Sequence, residues 1–321
     1  MKTRVSAALA AFACLAIFSC ASSASELYIS SGATDSVLRY DAESGVFIDA
    51  FVPSGSGGLD NPRGITFGPD GNLYVASSSS NDAILRYDGN SGAFLGVFAS
   101  TGSMGAPIDP FGIVFGPDGN LYSADISSDE VLRFNGATGA FIDTFASGGG
   151  LNGARDLVFG PDGNLYVSSA DTDNVLRYDG ISGAFIDIFA DDVDSRGLTF
   201  GIDGNLYVAD FNDGDVKQFD GMTGALIGTF ATGIGGPVGI QFGPDGNLYA
   251  SGFLANNVLL FDGASGAFID EIVPAGSGGL EQPRLFVIRE TSDVPEPLTI
   301  ILVAMGLAGM TITKRKLRCH C

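Results

Sequence analysis

The sequence predicts an all-β protein in which six similar four-stranded sheets form one closed ring, a six-bladed β-propeller. Three observations predict it. A short segment recurs at a regular period, glycine-rich turns divide each repeat into strands, and the C-terminal segment supplies the first strand that the first repeat lacks. Glycine accounts for 47 of the 321 residues, about twice the ordinary share, which fits turns repeated six times.

The recurring segment sets the period of the repeats. GPDGNLY occurs four times, GIDGNLY is a variant, and a truncated copy ends at Tyr28. From tyrosine to tyrosine, successive copies are 46, 48, 44, 41 and 42 residues apart. A period in the forties with strand-like content is typical of propeller blades.

Each repeat divides into four short strands. The turn between the first two strands contains an Asp-Gly pair, and a second turn with glycine precedes the fourth strand. Glycine accepts the positive φ that such tight turns need. In the second repeat the predicted strands are 64–67, 73–76, 83–87 and 94–98.

The two ends of the repeat region complement each other. The first repeat begins at Glu26 without a first strand, whereas 279–288 after the sixth repeat resembles 58–67, which introduces a complete repeat. The C-terminal strand is therefore expected to complete the N-terminal blade and close the ring, which leaves only short, protected sheet edges. The predicted propeller spans 25–290.

The repeats resemble NHL-type propellers, and more closely the streptogramin (virginiamycin B) lyase-like branch. The shared pattern runs over Pro62–Tyr74: a proline, Gly-Ile, then GPDGNL and an aromatic residue. The resemblance covers 26–290 and implies the fold. It also implies a histidine base and a divalent metal for a lyase, but the single histidine is His320, outside the propeller. Lactonase-like relatives imply a metal in the central channel that acidic and amide side chains hold. In this sequence, however, no glutamate recurs at the same position in successive blades.

Residues 1–24 are predicted to be a secretory signal peptide. Lys2 and Arg4 precede an apolar run, and small residues follow at 22–24. A lipoprotein signal with Cys20 lipidated is the alternative, although the bulky Phe18 does not fit it well.

The C-terminal segment combines three parts in a characteristic order. A linker at 291–297 contains Pro295-Glu296-Pro297, an apolar stretch at 298–313 is predicted to be a transmembrane helix, and 314–321 is a basic, cytoplasmic tail. This order resembles the PEP-CTERM sorting signal of Gram-negative bacteria. The resemblance implies a membrane-anchored precursor, processing by an exosortase-type enzyme, and release to the outer surface or the extracellular polymer. A plain membrane anchor is the alternative.

Charge and cysteine placement exclude several functions. Residues 25–294 contain 36 acidic and 10 basic residues, a net charge of −26, so nucleic acid and anionic membrane surfaces are repelled. All four cysteines lie in the two terminal segments. The propeller therefore has no disulfide, no cysteine metal site and no histidine ligand.

One register of the repeat carries arginines where each first strand begins. We expect these side chains to lie beside the central channel at one face, where planar guanidinium groups suit a carboxylate or sulfate of an anionic sugar or peptide. Alternatively, they pair with aspartates and tie the blades together. In chain order the positions are Arg63, Phe111, Arg155, Arg196, Val238 and Arg284.

A second arginine register lies on the third strands, next to an aromatic residue. Packing and surface ion pairs explain it. The positions are Arg39, Arg86, Arg133 and Arg177, with Gln218 and Leu260 in the last two full repeats.

The loops between second and third strands are acidic. Asp210, Asp213 and Asp215 form the best candidate calcium site, because calcium takes several oxygen ligands in flexible geometry. The alternative is that these residues only form the turn. No other cofactor is expected.

Together these features predict an exported binding or scaffolding module at the cell surface or in the extracellular matrix, with a polysaccharide or a surface protein as its partner. The alternative is a lyase- or lactonase-like propeller enzyme with a small substrate in the axial pocket. No catalytic residue is assigned.

Overall fold

The computed structural model describes residues 25–79, 82–100 and 108–291. They form six four-stranded antiparallel sheets, which confirms the all-β, six-bladed propeller. The signal peptide, the Pro-Glu-Pro motif and the apolar stretch at 298–313 lie outside the described residues. Within the described ranges, no helix is long and apolar enough to span a membrane.

The blades are numbered in chain order, each from its innermost to its outermost strand. Blade 1 contains β24 (Pro283–Glu290), β1 (Ser25–Ser31), β2 (Ser36–Asp41) and β3 (Phe47–Val52); blade 2 contains β4 (Ile65–Phe67), β5 (Leu73–Ser77), β6 (Ala83–Tyr87) and β7 (Phe94–Ser100). Blade 3 contains β8 (Pro110–Phe115), β9 (Leu121–Asp125), β10 (Glu130–Phe134) and β11 (Phe141–Ala146); blade 4 contains β12 (Ala154–Phe159), β13 (Leu165–Ser169), β14 (Asn174–Tyr178) and β15 (Phe185–Asp191). Blade 5 contains β16 (Ser195–Phe200), β17 (Leu206–Asp210), β18 (Asp215–Phe219) and β19 (Leu226–Thr232); blade 6 contains β20 (Pro237–Phe242), β21 (Leu248–Gly252), β22 (Asn257–Phe261) and β23 (Phe268–Val273).

The recurring tyrosine explains how neighbouring blades pack. The Tyr74 ring lies edge-on to Phe98 of its own blade at 4.8 Å and to Phe115 of the next blade at 5.0 Å. Its hydroxyl donates a hydrogen bond to the turn residue Asp70 at 3.0 Å. The motif therefore couples a tight turn to the apolar layer between blades, and edge-on ring pairs add to the burial energy.

The ring closes through the C-terminal strand. β24 pairs antiparallel with β1, with Leu27 opposite Ile288. It also packs between the innermost strands of blades 6 and 2. This is the arrangement that the sequence predicts, and it removes the open edge that β1 would otherwise present.

The six innermost strands approach one another closely around the axis. A Cβ atom on Gly64 would lie 2.3 Å from the carbonyl oxygen of Phe111 in the next blade. The Gly64 N–H donates a hydrogen bond to that same oxygen at 2.9 Å. Glycine at this register is therefore a packing requirement of the closed ring.

Candidate functional site

The predicted arginine register lies where the innermost strands begin. Arg155, Arg196 and Arg284 are each the second residue of β12, β16 and β24, and Arg63 precedes β4. Because all six innermost strands line the axis, these side chains come from four blades toward one end of it.

Phe111 lies at the centre of three of these arginines. The guanidinium carbons of Arg63, Arg155 and Arg284 lie 5.1, 5.3 and 5.7 Å from the centroid of its ring. Phe111 is buried and packs in an apolar cluster with residues from blades 1 and 6. One ring thus receives cations from blades 1, 2 and 4, each within the range of a cation–π interaction.

Two loop phenylalanines extend this arrangement. Arg196 lies 4.7 Å from the centroid of Phe211, and Arg284 lies 5.3 Å from that of Phe253. Both rings pack against the cluster that contains Phe111. We call the four arginines with Phe111, Phe211 and Phe253 the arginine face.

Three of the four arginines have polar partners. Arg63 Nη1 donates to Asp109 Oδ1 of blade 3 at 2.7 Å, and Arg284 Nη2 donates to Asn61 Oδ1 of blade 2 at 2.9 Å. The Nε of Arg196 lies 3.0 Å from Asp194 Oδ1 in its own blade. Arg63 and Arg284 therefore tie neighbouring blades together.

Arg155 differs from the other three. Among the described residues its guanidinium has no ion pair within 4.0 Å and no hydrogen-bond acceptor, and its Nε is buried. Burial, followed by the charges of Arg196 and Arg63, lowers the pKa of Arg155 to about 10. Burial and the charges of Arg63 and Arg155 lower the pKa of Arg284 to about 10. The charges of Asp171 and Asp194 oppose this shift for Arg155, but neither carboxylate lies within 4.0 Å of its guanidinium.

A cavity of about 260 Å³ lies on the axis, lined by all six innermost strands. Asp156 is the one ionisable side chain among the described residues that line it. Its Oδ2 accepts a hydrogen bond from the Leu198 N–H at 3.0 Å. Burial raises the pKa of the Asp156 carboxyl to about 7.

Sequence reasoning missed Asp156, although a signal was present. Four blades have glycine at this register, and blade 4 has aspartate instead. The neighbouring glycine provides the space, because a Cβ on Gly112 would lie 2.7 Å from Asp156 Oδ1.

The candidate calcium ligands do come together. One carboxylate oxygen from each of Asp210, Asp213 and Asp215 lies within 4.8 Å of the others. The Nζ of Lys217 lies among them, 2.6 Å from Asp213, 3.5 Å from Asp215 and 3.6 Å from Asp210. Burial raises the pKa values of Asp210 and Asp215. An ammonium group thus supplies the positive charge that the predicted ion would provide.

Solved structures with the same fold include binding proteins and enzymes. A chain in the crystal structure of the nidogen/laminin complex has a TM-score of 0.64 and 19% identity, over 82% of this chain and 98% of that chain. Virginiamycin B lyase from Staphylococcus aureus has a TM-score of 0.53 and 16% identity, over 70% of this chain and 73% of that chain. A gluconolactonase from Xanthomonas campestris has a TM-score of 0.56 and 19% identity, over 67% of this chain and 76% of that chain.

No family model matches the chain, and no curated protein matches it. At these identities the similarities establish the fold alone, which hosts binding and catalysis alike. The function therefore has to be argued from the residues of the propeller.

Proposed function

We propose that this protein is an exported binding module whose arginine face holds the carboxylate or sulfate groups of an extracellular polysaccharide. The predicted signal peptide and sorting signal support export from a Gram-negative cell and delivery to its outer surface. An exosortase-type enzyme would process the C-terminal segment.

Arg155 is the observation that carries this proposal. A partly buried guanidinium without a carboxylate partner destabilises a fold, because its lost hydration is not replaced. Among the described residues Arg155 makes no hydrogen bond and no ion pair within 4.0 Å, and the charges of Asp171 and Asp194 act on it only from a longer distance. A bound anion would supply the missing partner, and charge-assisted hydrogen bonds from a guanidinium to an oxyanion are among the stronger ones.

The geometry leaves room for such a contact. Of the Arg155 side-chain nitrogens, only Nε is both buried and unpaired. Its terminal nitrogens therefore remain in contact with solvent. Arg284, whose Nη2 is held by Asn61, lies on the same Phe111 ring and adds a second positive charge.

The acidic surface makes this site selective. The whole chain has a net charge of −21, so a polyanion is repelled everywhere except at a local concentration of arginines. We expect binding to be confined to one site per chain. We also expect it to weaken with salt, because exposed ionic contacts are screened.

The test compares alginate (a polyuronate), dextran sulfate and neutral dextran, each binding to the full chain in mild detergent. We expect both polyanions to bind and neutral dextran not to bind. Arg155→Gln should weaken binding by about tenfold or more. Arg177→Gln, which removes the same charge from the outer register, should not.

Three results would redirect or reject the proposal. Equal binding by the Arg155→Gln variant would place the contact elsewhere. Binding that is lost only with a calcium chelator would place it at Asp210, Asp213 and Asp215. No polyanion binding by the native chain would reject the glycan and leave a surface protein as the partner to test.

A further inference from the structure

The outer edge of blade 5 lacks an ion pair that other blades use to cover an aromatic ring. In blades 1, 3 and 4 an arginine of the third strand donates to an aspartate opposite it on the fourth strand, with Nη2 to Oδ2 distances of 2.6 Å. Each guanidinium carbon lies 5.1, 5.0 or 4.9 Å from the centroid of a fourth-strand phenylalanine. The pairs are Arg39–Asp49, Arg133–Asp143 and Arg177–Asp187, and the rings are Phe51, Phe145 and Phe189.

Blade 5 has neither member of this pair. Gln218 replaces the arginine, and Gly228 lies opposite it. Blade 2 keeps Arg86 opposite a glycine, and blade 6 keeps Asp270 opposite Leu260. Among the six pairs, all within the described residues, blade 5 alone lacks both charges.

A cavity of about 750 Å³ lies where the guanidinium would be, with Tyr207, Phe230 and Phe242 among the residues that line it. Phe230 is only partly buried. Its five counterparts, Phe51, Phe98, Phe145, Phe189 and Ile272, are all buried. The absence of the arginine and of the aspartate opposite it has therefore left an aromatic ring accessible.

Polar groups in this cavity also lack a cation. Asp203 Oδ2 accepts hydrogen bonds from Asn205 Nδ2 at 2.8 Å, from Tyr207 Oη at 3.0 Å and from Gln218 Nε2 at 3.1 Å. Within the described residues Asp203 makes no ion pair, and Gln218 Oε1 accepts no hydrogen bond. In blade 3 the corresponding Asp118 lies 3.9 Å from Arg133.

The rim of the cavity is apolar and exposed. Ile202 is fully exposed and stands where the other complete repeats have proline, and Ile227 is also exposed. Both residues line the cavity. The counterparts of Ile227 in the other blades are exposed apolar residues too, so Ile202 is the residue that distinguishes this rim.

We propose that this cavity binds the guanidinium group of an arginine side chain that a protein partner presents. Three blades of the same chain hold a guanidinium stacked on the phenylalanine and bonded to the fourth-strand aspartate, and in blade 3 it also lies 3.9 Å from the turn carboxylate. Blade 5 lacks the fourth-strand aspartate, but it keeps the ring, the tyrosine and the turn carboxylate Asp203, and adds the amide oxygen of Gln218 as an acceptor. The strongly acidic chain attracts a basic partner, and arginine stacks on aromatic faces better than lysine does.

The test uses N-acetyl-arginine amide as the probe and N-acetyl-lysine amide as its comparison, titrated into the full chain and followed by NMR. We expect saturable binding of the arginine compound, about tenfold tighter than the lysine compound. Gln218→Arg fills the cavity with the arginine that other blades have, so it should weaken binding at least tenfold. Ile181→Arg adds the same charge at an exposed turn of blade 4 and should leave binding unchanged.

A second measurement does not depend on any variant. Protons of the bound probe next to the guanidinium should shift upfield, because they lie over the face of Phe230. Absence of that shift, equal binding of both compounds, or undiminished binding by Gln218→Arg would overturn the proposal. Tighter saturable binding of a neutral sugar, methyl glucoside, at this cavity would also overturn it.

Discussion

Replacing Arg155 by glutamine should stabilise the propeller, although it removes a partly buried side chain. Burial and neighbouring arginines lower the pKa of Arg155 to about 10. A change of one pKa unit corresponds to about 1.4 kcal/mol, so holding this charge in the fold costs roughly 3 kcal/mol before solvent screening. The variant loses stacking on Phe111, about 1 kcal/mol, and some packing of the side-chain stem, about 1 kcal/mol.

The net expectation is a gain of about 1 kcal/mol in the free energy of unfolding, or roughly 2–4 °C in the melting temperature. Chemical denaturation of the full chain at pH 7 and low salt measures it. Arg63→Gln is the control, because it breaks the 2.7 Å hydrogen bond to Asp109 and should destabilise by about 1–2 kcal/mol. A loss of more than about 1 kcal/mol in Arg155→Gln would instead show that Arg155 ties the blades together.

Three further predictions concern other charged groups. Burial raises the pKa of Asp156 to about 7, above its unfolded value near 4, so its contribution to stability is complete below pH 4 and is lost as the pH rises through 7. Asp156→Asn should remove that slope and raise the unfolding free energy at pH 8 by up to roughly 4 kcal/mol; equal pH profiles in denaturation would contradict this. Lys217→Gln should lower the melting temperature in chelator and make it rise with calcium, whereas the native chain should respond less; an equal calcium response would show that the ammonium does not occupy the cation position. Arg86→Gln gives blade 2 the glutamine–glycine pair of blade 5, since Gly96 lies opposite, and should create a second site for the arginine probe, which a titration would report as two sites per chain instead of one.

The fold was predictable because the same turn motif recurs in nearly every blade. The GPDGNLY turns place the strands, and the match between 279–288 and 58–67 predicts the pairing of β24 with β1 that closes blade 1. Local turn chemistry and one long-range match were sufficient, since each blade packs mainly on its neighbours.

The site was predictable only in part. The register placed four arginines at the axis, but it could not show that Asp109 pairs with Arg63 while Arg155 has no such partner among the described residues. Those differences depend on side chains of neighbouring blades. Phe111, which interrupts the arginine register, proved to be the ring on which three arginines converge.

The cavity beside Phe230 in blade 5 could also be predicted only in part. The sequence shows Gln218 in place of arginine, and packing and surface ion pairs are sufficient to explain that register. Its consequence depends on Gly228 lying directly opposite, which is a matter of strand register. The loss of both side chains, rather than either one, uncovers Phe230.

Calorimetric titration of the native chain with a short oligouronate, repeated with Arg155→Gln, measures whether Arg155 holds the anion. We expect one site per chain, affinity that falls with salt, and loss of most of the affinity in the variant. Several equivalent sites, no measurable heat, or identical isotherms for the two proteins would contradict this expectation.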